Sequence, residues 1–247
     1  MRKIKASSSS TSNRGYLFKG IAGMLILLLA LLNTSCNETK EIGPETLGYD
    51  FYPINLGEYR VYDVEEINYL IVGFDTSVYQ LRETIFDSIA SNDQTTYLLR
   101  RDVRLNETDE WRSDSVWSVT QTSNFLSITE NNIPFIKLTF PVSEGREWNG
   151  NSLNTRSSVT YYYQPVNNLV IDSLSNDDHI RVIIEDIEEN VTGVDLRSEI
   201  YVQGIGLVEK DYVTQKKCTE SACGTDLGEI IAGRSLKQVL IEIGKDE

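Results

Sequence analysis

Residues 96–105 read Thr-Tyr-Leu-Leu-Arg-Arg-Asp-Val-Arg-Leu, and the fold prediction depends on the pattern in this stretch. Successive side chains of a β-strand point to opposite faces of the sheet, so strict alternation predicts a strand with one buried and one hydrated face. Such strands are typical of antiparallel sheets. Here one parity holds Tyr97, Leu99, Val103 and Leu105, and the other holds Thr96, Arg100, Asp102 and Arg104.

The same alternation recurs from Tyr49 onward. In residues 134–142 the apolar set is Ile136, Leu138, Phe140 and Val142, and the intervening set is Phe135, Lys137 and Thr139. This pattern predicts Lys137 on the hydrated face. Turn-forming groups such as Asn149-Gly150-Asn151 separate the runs.

We therefore predict a mainly β protein: a single antiparallel, partly open barrel or strongly curved sheet of about ten to twelve strands. The expected organisation is a signal segment at 1–35, a lipidated Cys36 with a flexible tether at 36–48, and the β domain at 49–247. The predicted strands are 58–70, 76–90, 94–106, 112–121, 124–130, 134–142, 157–164, 168–174, 179–191, 196–204, 207–216 and 227–243.

The charge is divided unevenly along the chain. The 247 residues carry 37 acidic and 23 basic side chains, a formal net charge of −14, but residues 1–35 hold five basic residues and no acidic one. The remaining 212 residues therefore carry 37 acidic and 18 basic side chains, a net charge of −19. A surface this acidic argues against binding nucleic-acid phosphates, and the 40% hydrophobic content is enough for a core.

The N-terminal residues have the features of an export signal. The basic segment precedes an apolar run at 21–32, which is too short to span a bilayer as a helix but suits the h-region of a signal peptide. Asn33-Thr34-Ser35-Cys36 follows and resembles a bacterial lipobox, although the usual Leu lies one position early, at Leu32. The resemblance implies cleavage before Cys36, acylation of its thiol and, with Asn37 next, the outer membrane. The alternative is an ordinary secretory signal and an incidental cysteine.

Three stretches resemble uncharacterised bacterial lipoproteins. They are Tyr52-Pro53-Ile54-Asn55-Leu56-Gly57-Glu58-Tyr59-Arg60-Val61-Tyr62, the segment from Phe140-Pro141 to Trp148-Asn149-Gly150, and Gly204-Ile205-Gly206-Leu207-Val208. The resemblance implies an incomplete antiparallel barrel similar to the periplasmic lipoprotein-carrier family. It implies no catalytic residue.

Cys218 and Cys223 are separated by four residues, unlike the two-residue spacing of redox and zinc motifs. Outside the cytoplasm a pair this close is expected to form a disulfide at a hairpin tip. His179 is the single histidine, and we expect it in an exposed turn at the start of a strand. Because no Gly-x-Ser-x-Gly elbow is present, a Ser-His-Asp triad is not predicted. We predict no catalytic residue, metal site or cofactor.

Three further sequence patterns each have two possible interpretations. Trp111, Trp117 and Trp148, with Tyr161-Tyr162-Tyr163, would suit either a sugar-stacking platform or a sheet core. Gly204-Ile205-Gly206 lacks a following helix and favours a bulge or tight turn over a phosphate loop. Asp-Ser-apolar triplets resemble bacterial O-glycosylation acceptors, or recur by chance. They begin at Asp87, Asp114 and Asp172.

These observations predict a lipid-anchored, non-enzymatic envelope protein that binds a hydrophobic ligand or a protein partner. The alternatives are an accessory subunit of an envelope complex and a glycan-active enzyme or glycan-binding module. The membrane contact is expected through the N-terminal lipid alone, and no nucleic-acid partner is expected.

Overall fold

The structure is a computed structural model that describes residues 47–91, 94–165, 179–219 and 228–246. Met1–Ile42 and Gly43–Glu247 form separate units, and all described residues belong to the second. None of the helical segments among the described residues has the length and apolarity needed to cross a membrane.

Twelve antiparallel strands in the described residues form a nearly closed barrel with one unsealed seam, as predicted. The short strand at 147–149 was not predicted, and the strand predicted at 168–174 lies outside the described residues. The strands are β1 (Glu58–Tyr69), β2 (Phe74–Ser91), β3 (Gln94–Arg104), β4 (Arg112–Gln121), β5 (Phe125–Glu130), β6 (Ile133–Thr139), β7 (Glu147–Asn149), β8 (Thr160–Pro165), β9 (His179–Ile187), β10 (Gly193–Val202), β11 (Gly206–Lys217) and β12 (Ile230–Lys245).

The strand order around the barrel is β6-β5-β4-β3-β2-β1-β12-β11-β10-β9-β8-β7. The first and last strands of the domain, β1 and β12, are therefore neighbours in the middle of the sheet, and the seam lies between β6 and β7. We call the end at which β1 begins the lower end, and the end at which β1 turns into β2 the upper end.

The lower half of the barrel interior is filled with apolar side chains. Alternate residues of the strands meet there, as the period-two pattern predicts, because every strand presents one face to the same interior. The largest cluster of buried side chains includes Ile85, Leu99, Val119, Leu126, Leu138, Phe140, Tyr161, Tyr163, Val182 and Tyr201.

Side chains and a loop, rather than a strand ladder, join the two edges of the seam. The Tyr163 hydroxyl accepts a hydrogen bond from the Thr139 N–H at 2.8 Å and donates one to the Thr139 carbonyl at 2.9 Å. The Ile136 N–H donates to the Gly150 carbonyl at 3.0 Å, and Trp148 Nε1 donates to the Ile136 carbonyl at 2.9 Å. These contacts satisfy buried β6 backbone groups that would otherwise be unpaired.

Lys137 was predicted on the hydrated face, and this prediction was wrong. Its side chain is buried, and the residue is only 4% exposed. The pairing of β5 with β6 shifts between Leu126 and Ser127, so Leu126 faces Leu138 while Ser127 faces Ile136. Lys137 is the extra residue of this bulge, and an extra residue breaks the strict alternation of faces.

Candidate functional site at the upper end of the barrel

The chain segment before β1 closes the lower end. The Val142 N–H donates to the Leu47 carbonyl at 3.0 Å, and the Gly204 N–H donates to the Asp50 carbonyl at 2.8 Å, so the segment spans the opening from β6 to the β10–β11 turn. Phe51 and Tyr52 are the buried side chains of this segment. Gly48 has φ of +81°, and an added Cβ would lie 2.7 Å from the Val142 side chain, so the position favours glycine.

A buried ionic cluster lies above this core. Its centre is Glu199 of β10, which is 1% exposed and lies 2.9 Å from Lys137 Nζ and 3.4 Å from Lys210 Nζ. Tyr201 and Tyr212 donate their hydroxyls to its carboxylate at 2.6 and 2.5 Å. Lys137 also contacts Glu130 of β5 at 2.8 Å, so the cluster connects the two sides of the seam.

The charges in this cluster hold one another ionised. Burial alone would raise the pKa of Glu199, but the Lys137 and Lys210 ammonium groups and the two hydroxyl donors hold that pKa well below its usual range. Burial alone would lower the pKa of Lys137, yet Glu130 and Glu199 hold it well above the ordinary value. A group whose pKa lies this far from neutral keeps one charge state, so it is poorly suited to proton transfer near neutral pH. The cluster is better suited to joining strands on the two sides of the seam.

A cavity of about 330 Å³ opens near the upper end, between β1, β2, β3 and β4. Its walls are partly apolar, with Leu81 and Val103 beside Tyr79. The charged residues of its lining are three arginines and two carboxylates, a surplus of one positive charge in an acidic domain: Arg101, Arg104, Arg112, Glu66 and Asp114.

Two of these arginines are held by aromatic rings and polar partners. The Arg101 guanidinium lies 3.8 Å from the centre of the Trp117 ring, and its Nε donates to Glu83 at 3.0 Å. The Arg104 guanidinium lies 4.3 Å from the Trp111 ring, and its Nε donates to Gln80 at 2.8 Å. Stacking and hydrogen bonding on both sides limit the rotamers of long side chains, which pre-organises their remaining N–H donors.

The β1–β2 hairpin tip carries an exposed apolar patch. Residues 74–79 of β2 extend past β3, because the pairing of β2 with β3 begins at Gln80 and Arg104. The exposed fractions at the tip are 56% for Leu70, 69% for Ile71, 88% for Val72 and 68% for Phe74. Four large apolar residues in five positions, all mostly exposed, form a patch of the kind that marks an interaction site. We call residues 70–74 the hairpin tip.

The residues predicted to carry sites are distributed as follows. His179 lies at the start of a strand, as expected, but it belongs to β9 itself and is partly buried, so the expected exposed turn was wrong. Cys218 directly follows β11 and is buried, whereas Cys36 and Cys223 lie outside the described residues, so the lipidation and the disulfide stay predictions.

Within the described ranges, no group of three or more His, Cys, Asp or Glu side chains is arranged to hold a metal ion. Gly204 and Gly206 have positive φ in the turn between β10 and β11, which confirms the predicted tight turn.

The structure does not assemble the six aromatic residues into a sugar-stacking platform. Trp148 packs against Tyr163 with ring centres 4.6 Å apart, within the lower core. Trp117 also packs against this core, with its ring facing Arg101, whereas Trp111 lies beside Arg104. Alternation places Tyr161 and Tyr163 inside, while Tyr162 points outward toward Asp186. The structure therefore supports the core interpretation for Trp117, Trp148, Tyr161 and Tyr163, while Trp111 and Tyr162 lie outside the core clusters.

Comparison with known proteins finds no matching protein family and no matching curated protein. Among solved structures, the chain is similar to the crystal structure of a Bacteroides fragilis protein described as exported and as having a YmcC-like fold. The identity is 12%, the match covers 79% of this chain and 99% of the other, and the TM-score is 0.40. At this TM-score the match carries no inference about the activity or location of this chain.

Proposed function

We propose that this protein is a non-enzymatic, lipid-anchored lipoprotein of the outer membrane, which docks a protein partner of the cell envelope through its hairpin tip. The observation that carries the proposal is the exposure of Leu70, Ile71, Val72 and Phe74 at one projecting turn. Burying apolar side chains against a partner contributes roughly 25 cal/mol per Å² of apolar surface, so an exposed tip of this kind favours association.

The position of the tip supports a protein partner that binds outside the barrel, as opposed to a ligand that binds inside it. The described part of the lower interior is filled with core side chains and covered by residues 47–57. A hydrophobic ligand held in the barrel therefore has less support than a protein on its rim. Since β1 has 12 residues, the tip lies roughly 40 Å from the end at which the chain enters the domain.

Binding of the partner is expected to depend on Val72. Replacing Val72 with Asp places a charge at the most exposed apolar position of the tip, and a charge buried at an interface without a counter-ion strongly opposes binding. We expect affinity capture of the tagged, full-length lipoprotein from its own membranes to recover a stoichiometric protein with the unaltered chain and to lose it with Val72→Asp.

The matched control is Val116→Asp, since Val116 is 56% exposed and lies on β4, away from the tip. This variant should retain the partner. Equal capture by all three proteins, or equal loss from both variants, would contradict docking through the tip.

Lipid anchoring rests on the sequence before the domain. A thioether-linked diacylglycerol with an amide-linked acyl chain on Cys36 would supply more than one chain, which is what stable anchoring requires. We expect Cys36→Ala to abolish incorporation of a labelled fatty acid and to move the protein into the aqueous phase of a detergent partition. The control Cys218→Ala should keep the label, and labelling of the Cys36→Ala protein would refute the anchor. The Cys218–Cys223 disulfide belongs to the same proposal, because both features require export.

A further inference from the structure

We infer that the cavity at the upper end binds a small organic anion, with a carboxylate or phosphate group placed against Arg112. This site is separate from the hairpin tip and does not depend on the proposed partner. The inference rests on the arrangement of the arginines, the size of the cavity and the charge of the domain around it.

Arg112 is the cavity arginine whose side chain has neither a counter-ion nor a hydrogen-bond partner among the described residues. It begins β4 opposite Val103 of β3 and is exposed. Within the described residues its side chain makes no ion pair or hydrogen bond, unlike Arg101 and Arg104 beside it. Its guanidinium therefore has all of its donors available. A planar guanidinium with free donors pairs bidentately with carboxylate and phosphate groups.

The two carboxylates of the lining do not cancel this charge. Arg234 binds Glu66 through two hydrogen bonds, at 2.8 and 3.0 Å, so Glu66 is already neutralised. Asp114 lies 3.7 Å from Arg101 and accepts a hydrogen bond from Ser115 at 2.8 Å. Arg112 remains as a local positive charge in a domain whose net charge over residues 36–247 is −19, from 18 basic and 37 acidic side chains. A local surplus of positive charge inside a concave site raises the local concentration of anions there.

The rest of the lining indicates the size and polarity of the part of the ligand beyond its anionic group. A volume of about 330 Å³ is at the small end of the range for ligand pockets, and Tyr79, Leu81 and Val103 provide an aromatic and apolar wall. An anion of the size of a phosphorylated or carboxylated monosaccharide fits this combination of one charged and one apolar side.

The test is calorimetric titration of the full-length protein in detergent with glucose 1-phosphate, glucuronate and neutral glucose. We expect at least one of the two anions to bind, with an affinity that falls as salt is added, and glucose to give no binding. Arg112→Gln should lower the affinity for the anion roughly tenfold or more, since a hydrogen-bonded ion pair is lost. Binding of only one anion supports the inference and identifies the head group.

The matched control is Arg146→Gln, because Arg146 is a partly exposed arginine outside the cavity that donates to the Pro141 carbonyl. It removes the same charge from the domain and should leave the affinity unchanged. No binding of either anion overturns the inference, and so does an equal loss in the two variants. The exposed Arg112 side chain makes no ion pair or hydrogen bond in the described residues, so thermal unfolding of Arg112→Gln should match that of the unaltered protein.

Discussion

Replacing Glu199 with Gln is expected to lower the free energy of unfolding by about 3–5 kcal/mol, the largest loss that we predict for a single substitution. The change removes the anion shared by Lys137 and Lys210, which lie 2.9 and 3.4 Å away. The cluster then has two buried ammonium groups and only Glu130 to balance them. An unbalanced charge in a buried site costs far more than the pair contributed when complete. Urea denaturation of both proteins measures the difference.

The pH dependence of unfolding gives a second measure of the same residue. A carboxyl whose pKa is depressed in the folded state adds stability above its unfolded pKa, here 4.5, and loses it as the pH falls through the folded pKa. The unaltered protein should therefore lose stability progressively below about pH 5, and Glu199→Gln should show a shallower loss.

The control is Glu242→Gln, since Glu242 is exposed and accepts a hydrogen bond from Tyr59 at the surface. Its stability and acid dependence should stay close to those of the unaltered protein. If Glu199→Gln behaved like this control, the buried cluster would not stabilise the fold as its geometry indicates.

Replacing Tyr163 with Phe is expected to weaken the seam and lower the free energy of unfolding by about 1–3 kcal/mol. The ring remains packed against Trp148, but the hydroxyl that bonds both the N–H and the carbonyl of Thr139 is removed. Two buried backbone groups then have no partner, which costs their full desolvation penalty. Hydrogen exchange should speed up at the Thr139 and Ile136 amides before it does so elsewhere, since both lie on the β6 edge of the seam.

The adjacent Tyr162→Phe is the matched control. Its hydroxyl is 3.5 Å from Asp186 on the outer face, where water can replace the contact. Little change in stability or exchange is expected for it. Equal effects of the two substitutions would show that Tyr163 does not close the seam through its hydroxyl.

The sequence analysis missed both the ionic cluster and the cavity. For the cavity one signal was available, because Arg101 has the same parity as Leu99 and Val103 and is therefore a charge at a position where the pattern predicts burial. For the cluster the pattern pointed the other way, because Glu199 alternates with the apolar Leu196, Ile200 and Val202 and yet is 1% exposed. Its partner was also out of reach, because Lys137 lies 62 residues away from Glu199 and turns inward only through a bulge.

The sequence by itself determined the class of fold. The alternation of apolar and polar side chains depends on each strand separately, so β1 to β6 and β8 to β12 could be predicted within a few residues, while three-residue β7 is too short to show a period. The division into a basic leader and an acidic remainder also follows from composition alone.

Only the tertiary structure decided where the barrel is filled, how its seam is joined and which end is open. These features depend on contacts between residues far apart in the chain, such as Tyr163 with Thr139 and Leu47 with Val142. No local pattern encodes such pairs, since they arise from the register of the strands and the bulge in β6. The same holds for the cavity with Arg112, because its lining comes from four separate strands that only the folded sheet brings together near the upper end.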